Sequence, residues 1–253
     1  MSVRAITVDL WGTLLLDPPS SDNRYKARRL RDFENILGGA GIRVSAAALD
    51  RAYEASAVHL SRIWAKHRDV PVGDHVRAIL AGVDATLPTR LPTDVLTALV
   101  DAYARPALLV PPALDPGALK ALSALREEGY TLAIVSNTMR TPGATLRTLL
   151  ERMGVLRCFA HTVFSDEIGV RKPDPAIFLG ALRAIGGDAA TAIHVGDDGM
   201  LDVGGARAAG MRVIQVTNAS LKSLGGRRPD AVIPSLIGLP DAVARLTTPT
   251  PPA

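Results

Sequence analysis

Cysteine is nearly absent from this 253-residue chain, aromatic residues make up 4% of it, and no apolar run approaches the roughly 20 residues that span a bilayer. Each shortage excludes something. A lone Cys158 cannot form an intramolecular disulfide or a cysteine-based zinc centre, so a reducing, cytoplasmic setting is expected. With few Phe, Tyr and Trp, the core must be built from Leu, Val, Ile and Ala. A concentrated basic stripe is missing too. The 29 Lys and Arg against 25 Asp and Glu leave a formal charge of +4, scattered apart from small clusters at residues 24–31 and 227–228. That distribution argues against a nucleic-acid partner and for solubility with a modest attraction to small anions. The first ten residues imitate a signal peptide, but Asp9 interrupts the apolar segment and no small-residue cleavage site follows promptly.

Apolar residues at 47% and charged residues at 21% are globular proportions, which sets aside wholesale disorder, collagen-like and coiled-coil architectures. Residues 3–10 form an apolar, β-branched run of the kind that makes a buried parallel strand. Pro18, Pro19, Ser20 and Ser21 read as a linker. From about residue 23 to 105 the spacing turns helical, with segments 25–37, 45–66, 74–80 and 93–103 and no convincing strand. After Pro112 strands and helices alternate: helix 116–128 capped by Asp115, strand 132–135, helix 144–153, strand 162–164 and helix 175–185. Strand 192–195, helix 201–209, strand 212–216 and a short strand at 231–233 complete the series. Such alternation predicts an α/β fold with a doubly wound parallel sheet. The first strand must join that sheet across the helical stretch, which is most economically an α-helical insertion seated above the sheet as a cap. The expected division is a Rossmann-like core of residues 1–17 and 112–246, a helical cap of 18–111, and a Thr/Pro-rich disordered tail of 247–253.

In open α/β sheets the ligand crevice lies beyond the carboxyl ends of the strands, so chemistry is sought there. The first strand ends at Asp9, followed by Trp11, Gly12, Thr13 and Leu14. The second ends at Ser136 and Asn137, Lys172 follows the third, and the fourth runs into Gly196, Asp197, Asp198 and Asp202. On one sheet these positions bring carboxylates, a hydroxyl and an ammonium together. Magnesium prefers carboxylate and water oxygens, with substrate phosphate completing its shell. An aspartate is able to act as nucleophile through an acyl phosphate, and a lysine and a hydroxyl are able to offset the charge of the transferring group.

The order and spacing of these residues resemble the haloacid dehalogenase (HAD) superfamily. Flanking residues agree: Gly12, Thr13 and Leu14 after the first motif, residues 172–178 around the lysine, and residues 205–211 after the fourth. The helical insertion is similar to that family's C1 cap. The resemblance implies that Asp9 is the nucleophile and a metal ligand, that Ser136 hydrogen-bonds the phosphoryl oxygens with Asn137 as a further donor, and that Lys172 offsets their charge. It implies Mg²⁺ held by Asp9, the Trp11 carbonyl, Asp197 and Asp202, and a small anionic substrate, a phosphate ester. In phosphatases of the family the residue two after the nucleophile is another aspartate, the general acid and base. Here it is Trp11, which keeps the backbone carbonyl and loses the proton carrier. Relatives that hydrolyse carbon–halogen bonds also lack that aspartate, so three readings stand side by side: a Mg²⁺-dependent phosphatase, which the intact fourth motif favours, a metal-independent 2-haloacid dehalogenase, and an impaired member kept for binding or regulation.

Several residues have plainer readings. Asp17 is the nearest carboxylate to replace the missing acid, but its place past the turn suits a linker or hinge. Asp198 is expected to face a helix terminus, and His194 to be a satisfied core histidine. Trp11 is expected either to wall the pocket against substrate or to pack on the cap. Arg24 is expected to read the leaving group, with Tyr25, Arg28, Trp64 and His67 as further cap candidates. No feature of the sequence reports oligomeric state.

Overall fold

The apolar run near the amino terminus becomes β1 (Ala5–Val8), with all four residues buried. The protein is described by a computed structural model covering residues 4–17, 21–217 and 228–247. Further strands are β2 (Leu15–Leu16), β3 (Ala113–Leu114), β4 (Thr131–Ser136), β5 (His161–Phe164), β6 (Ile193–Gly196), β7 (Arg212–Val216) and β8 (Ala231–Ile233). Six of them make one parallel sheet in the order β5-β4-β1-β6-β7-β8, while β2 and β3 pair antiparallel as a separate ribbon. A parallel sheet is covered on both faces, which is why its strands read as nearly unbroken apolar runs. The chain leaves β1 for β4 and β5 on one side, then returns to β6, β7 and β8 on the other. That reversal opens a crevice at the carboxyl end of β1, between β4 and β6.

The helices are α1 (Ser21–Gly39), α2 (Ala46–Trp64), α3 (Val72–Val83), α4 (Leu87–Arg90), α5 (Thr93–Ala104) and α6 (Pro106–Leu109). After β3 come α7 (Ala118–Glu127), α8 (Gly143–Arg152), α9 (Ser165–Ile168), α10 (Pro175–Ala184), α11 (Gly205–Ala208) and α12 (Leu239–Thr247). Local chemistry sets several starts. Ser45 caps α2 by accepting from the Ala48 N–H, and Asp174 caps α10, where Pro175 occupies the first turn. Leu122, Leu146 and Val243, from α7, α8 and α12, pack on the sheet face that carries Ile6, Val8 and Ile134. Ile177, Phe178 and Ala206, from α10 and α11, cover the other face at Val135, Val163 and Val213. The segment from α1 to α5 has its own apolar core, built on Phe33, Leu37, Leu49, Ile79, Leu80 and Tyr103. Each such buried side chain contributes about 1.5–3 kcal/mol, so this segment holds its shape by its own packing.

Among the described residues, backbone pairing joins the helical segment to the sheet layer at two places. The β2–β3 ribbon ties the chain where it leaves the sheet layer to where it returns. Further along, the Asp69 N–H donates to the Gly169 carbonyl and the Arg171 N–H to the His67 carbonyl, each near 3.0 Å. Beneath that pairing the Arg171 guanidinium and Ser165 hydroxyl both donate to Asp69 Oδ2 at 2.5 Å, and the Trp64 indole donates to Oδ1 at 2.9 Å.

Sequence and structure differ in detail. The strand expected at 3–10 stops at Val8, because Asp9 to Thr13 turn to build the site. Ser21, expected in a linker, starts α1; Pro18 to Ser20 lie outside the described residues. The helix expected at 201–209 opens with a wide π-type turn, Gly199–Gly204, before α11. Asp198 causes it: its carboxylate accepts from the Met200 and Leu201 N–H groups, and its carbonyl accepts from Val203, five residues on. Thr247, expected in the tail, ends α12, and residues 248–253 lie outside the described residues. Among the described residues no helix is long and apolar enough to cross a membrane.

Candidate active site

Asp9 follows the central strand, and its N–H donates to the Val195 carbonyl at 2.8 Å, so β6 fixes its backbone. The chain then turns sharply. Gly12 has φ +82°, a conformation most side chains avoid, and a Cβ there would collide with the Asp197 carboxylate. A Cβ on Gly196 would likewise strike Asp202. These two glycines let the first and fourth motifs close on one another. Carboxylate oxygens of Asp9, Asp197 and Asp202 consequently all lie within 4.8 Å of one another.

Lys172 binds this cluster together. Its ammonium donates to Asp9 Oδ1 and, at 2.6 Å, to Asp202 Oδ1, and all three side chains are almost wholly buried. No described hydrogen bond reaches the second Asp9 oxygen, Oδ2, which is therefore available to an electrophile. Asp202 is held more completely. Its Oδ1 also meets His194 Nε2 at 3.0 Å, and its Oδ2 accepts from the Asp198 N–H at 2.9 Å. His194 rests through Nδ1 on the Thr7 hydroxyl, so it is the satisfied core histidine expected, with Asp202 as its partner. Burial pushes the His194 pKa down, which keeps the ring neutral.

Electrostatics follow from that geometry. Burial pushes the Asp9 carboxyl up to about 7, Lys172 opposes the rise, and the neighbouring Asp202 and Asp197 add to it. For Asp202 burial also raises the pKa, but Lys172 and His194 outweigh it and hold the group below the usual carboxylate range. Lys172 is lowered by burial and raised further by Asp202 and Asp9, so it stays charged. Three carboxylates thus face one ammonium. The surplus negative charge and all-oxygen donor set suit a hard divalent cation such as Mg²⁺.

Ser136 ends β4 fully buried, and its Oγ has no hydrogen-bond partner, as a hydroxyl waiting for a ligand oxygen would be. Asn137 is engaged by the lysine's main chain. Its amide donates to the Lys172 carbonyl at 3.1 Å and accepts the Lys172 N–H at 2.9 Å, so it holds the lysine's main chain. A cavity of about 1040 Å³ adjoins this cluster and is lined by Trp11, Gly12, Thr138 and Asp197 on the sheet side. Tyr25, Arg29, Tyr53, Trp64 and Arg140 line it as well, as does Asp17, which sits beside the ligand space rather than only in a linker. The Trp11 indole N–H is buried without a partner.

Arg24, expected at the ligand, is exposed and does not line this cavity. The reason is helical phase. Residues 25, 29, 33 and 37 share the inward face of α1, and Arg24 lies about 100° round from Tyr25. Arg28 is also exposed and pairs with Asp32. His67 is exposed at a left-handed turn and is not part of the lining. Arg29 was legible in principle: an arginine standing between Tyr25 and Phe33 on an apolar stripe is a polar group aimed at the interior. Arg140 and Asp69 carried no comparable signal.

Comparisons with known proteins agree with this geometry. Residues 3–210 match the family model described as haloacid dehalogenase-like hydrolase. A glyceraldehyde 3-phosphate phosphatase of Methanopyrus kandleri is 34% identical over 119 residues, covering 46% of this chain and 49% of its own length. A phosphoglycolate phosphatase of Mesorhizobium japonicum is 38% identical over 101 residues, 40% of this chain and 43% of its own. The chain therefore spans about half the length, or less, of these curated relatives. Among solved structures, the 2-haloacid dehalogenase from Pseudomonas syringae pv. Tomato DC3000 superposes with a TM-score of 0.72 at 26% identity, over 97% of this chain and all of that one. A HAD phosphatase from Thermococcus onnurineus shares the fold, with a TM-score of 0.60 at 24% identity over 94% of this chain and 97% of its own. The match to the family model runs through all four strand-end motifs, and the chain belongs to the haloacid dehalogenase-like hydrolases.

Proposed function

We propose that the protein is a phosphatase acting on a small phosphorylated metabolite, with Asp9 as nucleophile. The observation that carries this reading is the buried set of Asp9, Asp197, Asp202 and Lys172, which joins a free carboxylate oxygen to a surplus of negative charge. The relatives' activities by name, phosphoglycolate phosphatase and glyceraldehyde 3-phosphate phosphatase, support the substrate class. Mg²⁺, held by Asp9, Asp197 and the Trp11 carbonyl with Asp202 beside them, would offset phosphoryl charge when bound. A lone, buried Cys158 supports a reducing, cytoplasmic setting. In the same reading α1 to α6 act as the cap that selects the substrate.

The chain's own groups then divide the work. Asp9 Oδ2 attacks phosphorus, a P–O bond to Asp9 forms, and the bond to the leaving alcohol breaks. Ser136 Oγ donates to a phosphoryl oxygen, and Lys172 holds charge on nucleophile and phosphoryl group together. Water then cleaves the aspartyl phosphate, returning the carboxylate and inorganic phosphate. Trp11 has no proton to give the leaving alkoxide, so esters with good leaving groups are turned over fastest.

The test is phosphate release from an aryl phosphate with and without Mg²⁺, using Asp9→Asn as control. Release that needs Mg²⁺ and vanishes in Asp9→Asn is expected; release unchanged in that variant would reject the assignment. A second reading, hydrolysis at carbon, is favoured by one observation: an indole stands where phosphatases carry their acid. Halide release from 2-haloacids that survives EDTA would select it.

A further inference from the structure

Arg29 and Arg140 line the cavity wall, and neither has a carboxylate within 4 Å among the described residues. Other cations nearby are paired: Lys26 with Asp50 and Glu54, Arg105 with Asp32, Arg171 with Asp69. Arg29 is 3% exposed and donates to the Tyr103 carbonyl at 2.8 Å, the Tyr53 hydroxyl at 3.1 Å and the Arg140 carbonyl at 2.8 Å. Arg140 donates to the Tyr103 hydroxyl at 2.7 Å and the Ser56 hydroxyl at 3.3 Å. Every acceptor is neutral. Tyrosine rings take the place of counter-ions, with the Arg140 guanidinium 4.1 Å from the Tyr53 centroid and that of Arg29 4.5 Å from Tyr103. Of the carboxylates that share the lining, Glu54 is engaged by Lys26 and Asp115 by the Gly117 N–H, while Asp17, Asp22 and Asp197 form no ion pair with either arginine among the described residues. Two shielded guanidinium groups with no anion are costly unless a ligand brings one.

Geometry narrows the ligand's chemistry. A guanidinium has five N–H donors, and Arg140 uses two of them. Tyr53 covers one face, so an anion must meet the remaining donors edge-on, in the plane that a carboxylate matches side by side. Arg140 lies four residues after Ser136, whose buried hydroxyl has no hydrogen-bond partner, and four residues of chain span at most roughly 14 Å. Met139 between them has φ +50°, turning the loop back on itself. A molecule that reaches from Ser136 to Arg140 is therefore short.

We propose that Arg140, steadied by Arg29, binds a carboxylate on the leaving group, so that the protein selects phosphate monoesters of short hydroxy acids over neutral esters of the same length. This rests on the phosphatase reading and specifies its substrate class. Between the relatives' two named substrates, it favours the phosphoglycolate type, which carries a carboxylate, over the aldehyde.

The experiment compares phosphoglycolate with 2-hydroxyethyl phosphate, its neutral counterpart. Binding to Asp9→Asn with Mg²⁺ is followed by calorimetry and kcat/KM is measured on the protein with Asp9 intact, each with and without Arg140→Gln and Arg140→Lys, all checked for an unchanged melting transition. Phosphoglycolate is expected to be preferred by about tenfold or more, with the preference collapsing in Arg140→Gln and partly restored in Arg140→Lys. Equal binding of the two esters, or a preference that survives in Arg140→Gln, overturns the proposal. Phosphate release from other esters with no binding of phosphoglycolate removes the carboxylate site and leaves the phosphatase standing. Arg140-dependent binding of phosphoglycolate with no phosphate release from any ester does the reverse.

Discussion

Two charged groupings at one cavity, an acidic cluster and an arginine pair, settle their charge in opposite ways. On the sheet side, Asp9 and Asp202 share the Lys172 ammonium, and Asp202 is further fixed by His194 and the Asp198 N–H. Where the helical segment meets the sheet layer, Arg29 of α1 and Arg140, which follows β4, rest on hydroxyls, carbonyls and tyrosine faces with no carboxylate within 4 Å among the described residues. Sequence composition, with its mild net charge, conceals this division entirely. What it teaches is that a site is legible in how its charges are compensated: the acidic cluster has negative charge to spare, the arginine pair positive, and the proposed substrate with its cation would complete both.

At the joint of helical segment and sheet layer lies a pair that is already complete, and breaking it should have the largest effect. Arg171 and Asp69 are almost wholly buried, so Arg171→Met leaves a carboxylate without its partner inside the protein. A loss of about 3–5 kcal/mol in the unfolding free energy is expected from denaturant titration. A loss under about 1 kcal/mol would mean that the joint is solvated.

Next comes the ammonium. Lys172→Met, which leaves Asp9 and Asp202 facing one another, should lower kcat by ~10²–10³-fold, read as phosphate release at saturating Mg²⁺. Trp11→Asp works in the other direction. Restoring a proton carrier two residues after the nucleophile should raise turnover of alkyl phosphates by ~10²-fold and that of aryl phosphates far less. Equal gains on both would show that the indole obstructs substrate rather than lacking a proton.

The smallest effect is a slope. Burial pushes the His75 pKa down from 6.5 to about 4, with Asp69 opposing and Arg140 adding to the fall. Between those values the unfolded chain binds the proton and the folded one does not, so stability is complete above pH 6.5 and falls as the pH drops toward 4. Each pH unit in that window should cost about 1.4 kcal/mol, and His75→Gln should flatten the slope in urea midpoints measured across it.

Much of this was readable before folding. Residues 3–10 and 132–135 announced buried strands because a parallel sheet demands apolar side chains on both faces. Asp9, Ser136, Lys172, Asp197 and Asp202 stood out because each falls where a strand or its connection ends. Asn137 and Arg24 illustrate the limit. Motif position cannot say whether an amide turns toward ligand or toward a lysine's main chain, and charge on a helix cannot say which side it presents.

By itself the sequence determined the alternation of strand and helix, the helical insertion and the identity of the acidic cluster, since these depend on periodicity and on residues next to strand ends. Only the tertiary structure decided which charges are paired. Arg29 and Arg140 are 111 residues apart, and Asp69 and Arg171 are 102 apart. Contacts of that range are set by how packed helices rotate against a sheet, a global balance of buried area that no local stretch of chain encodes.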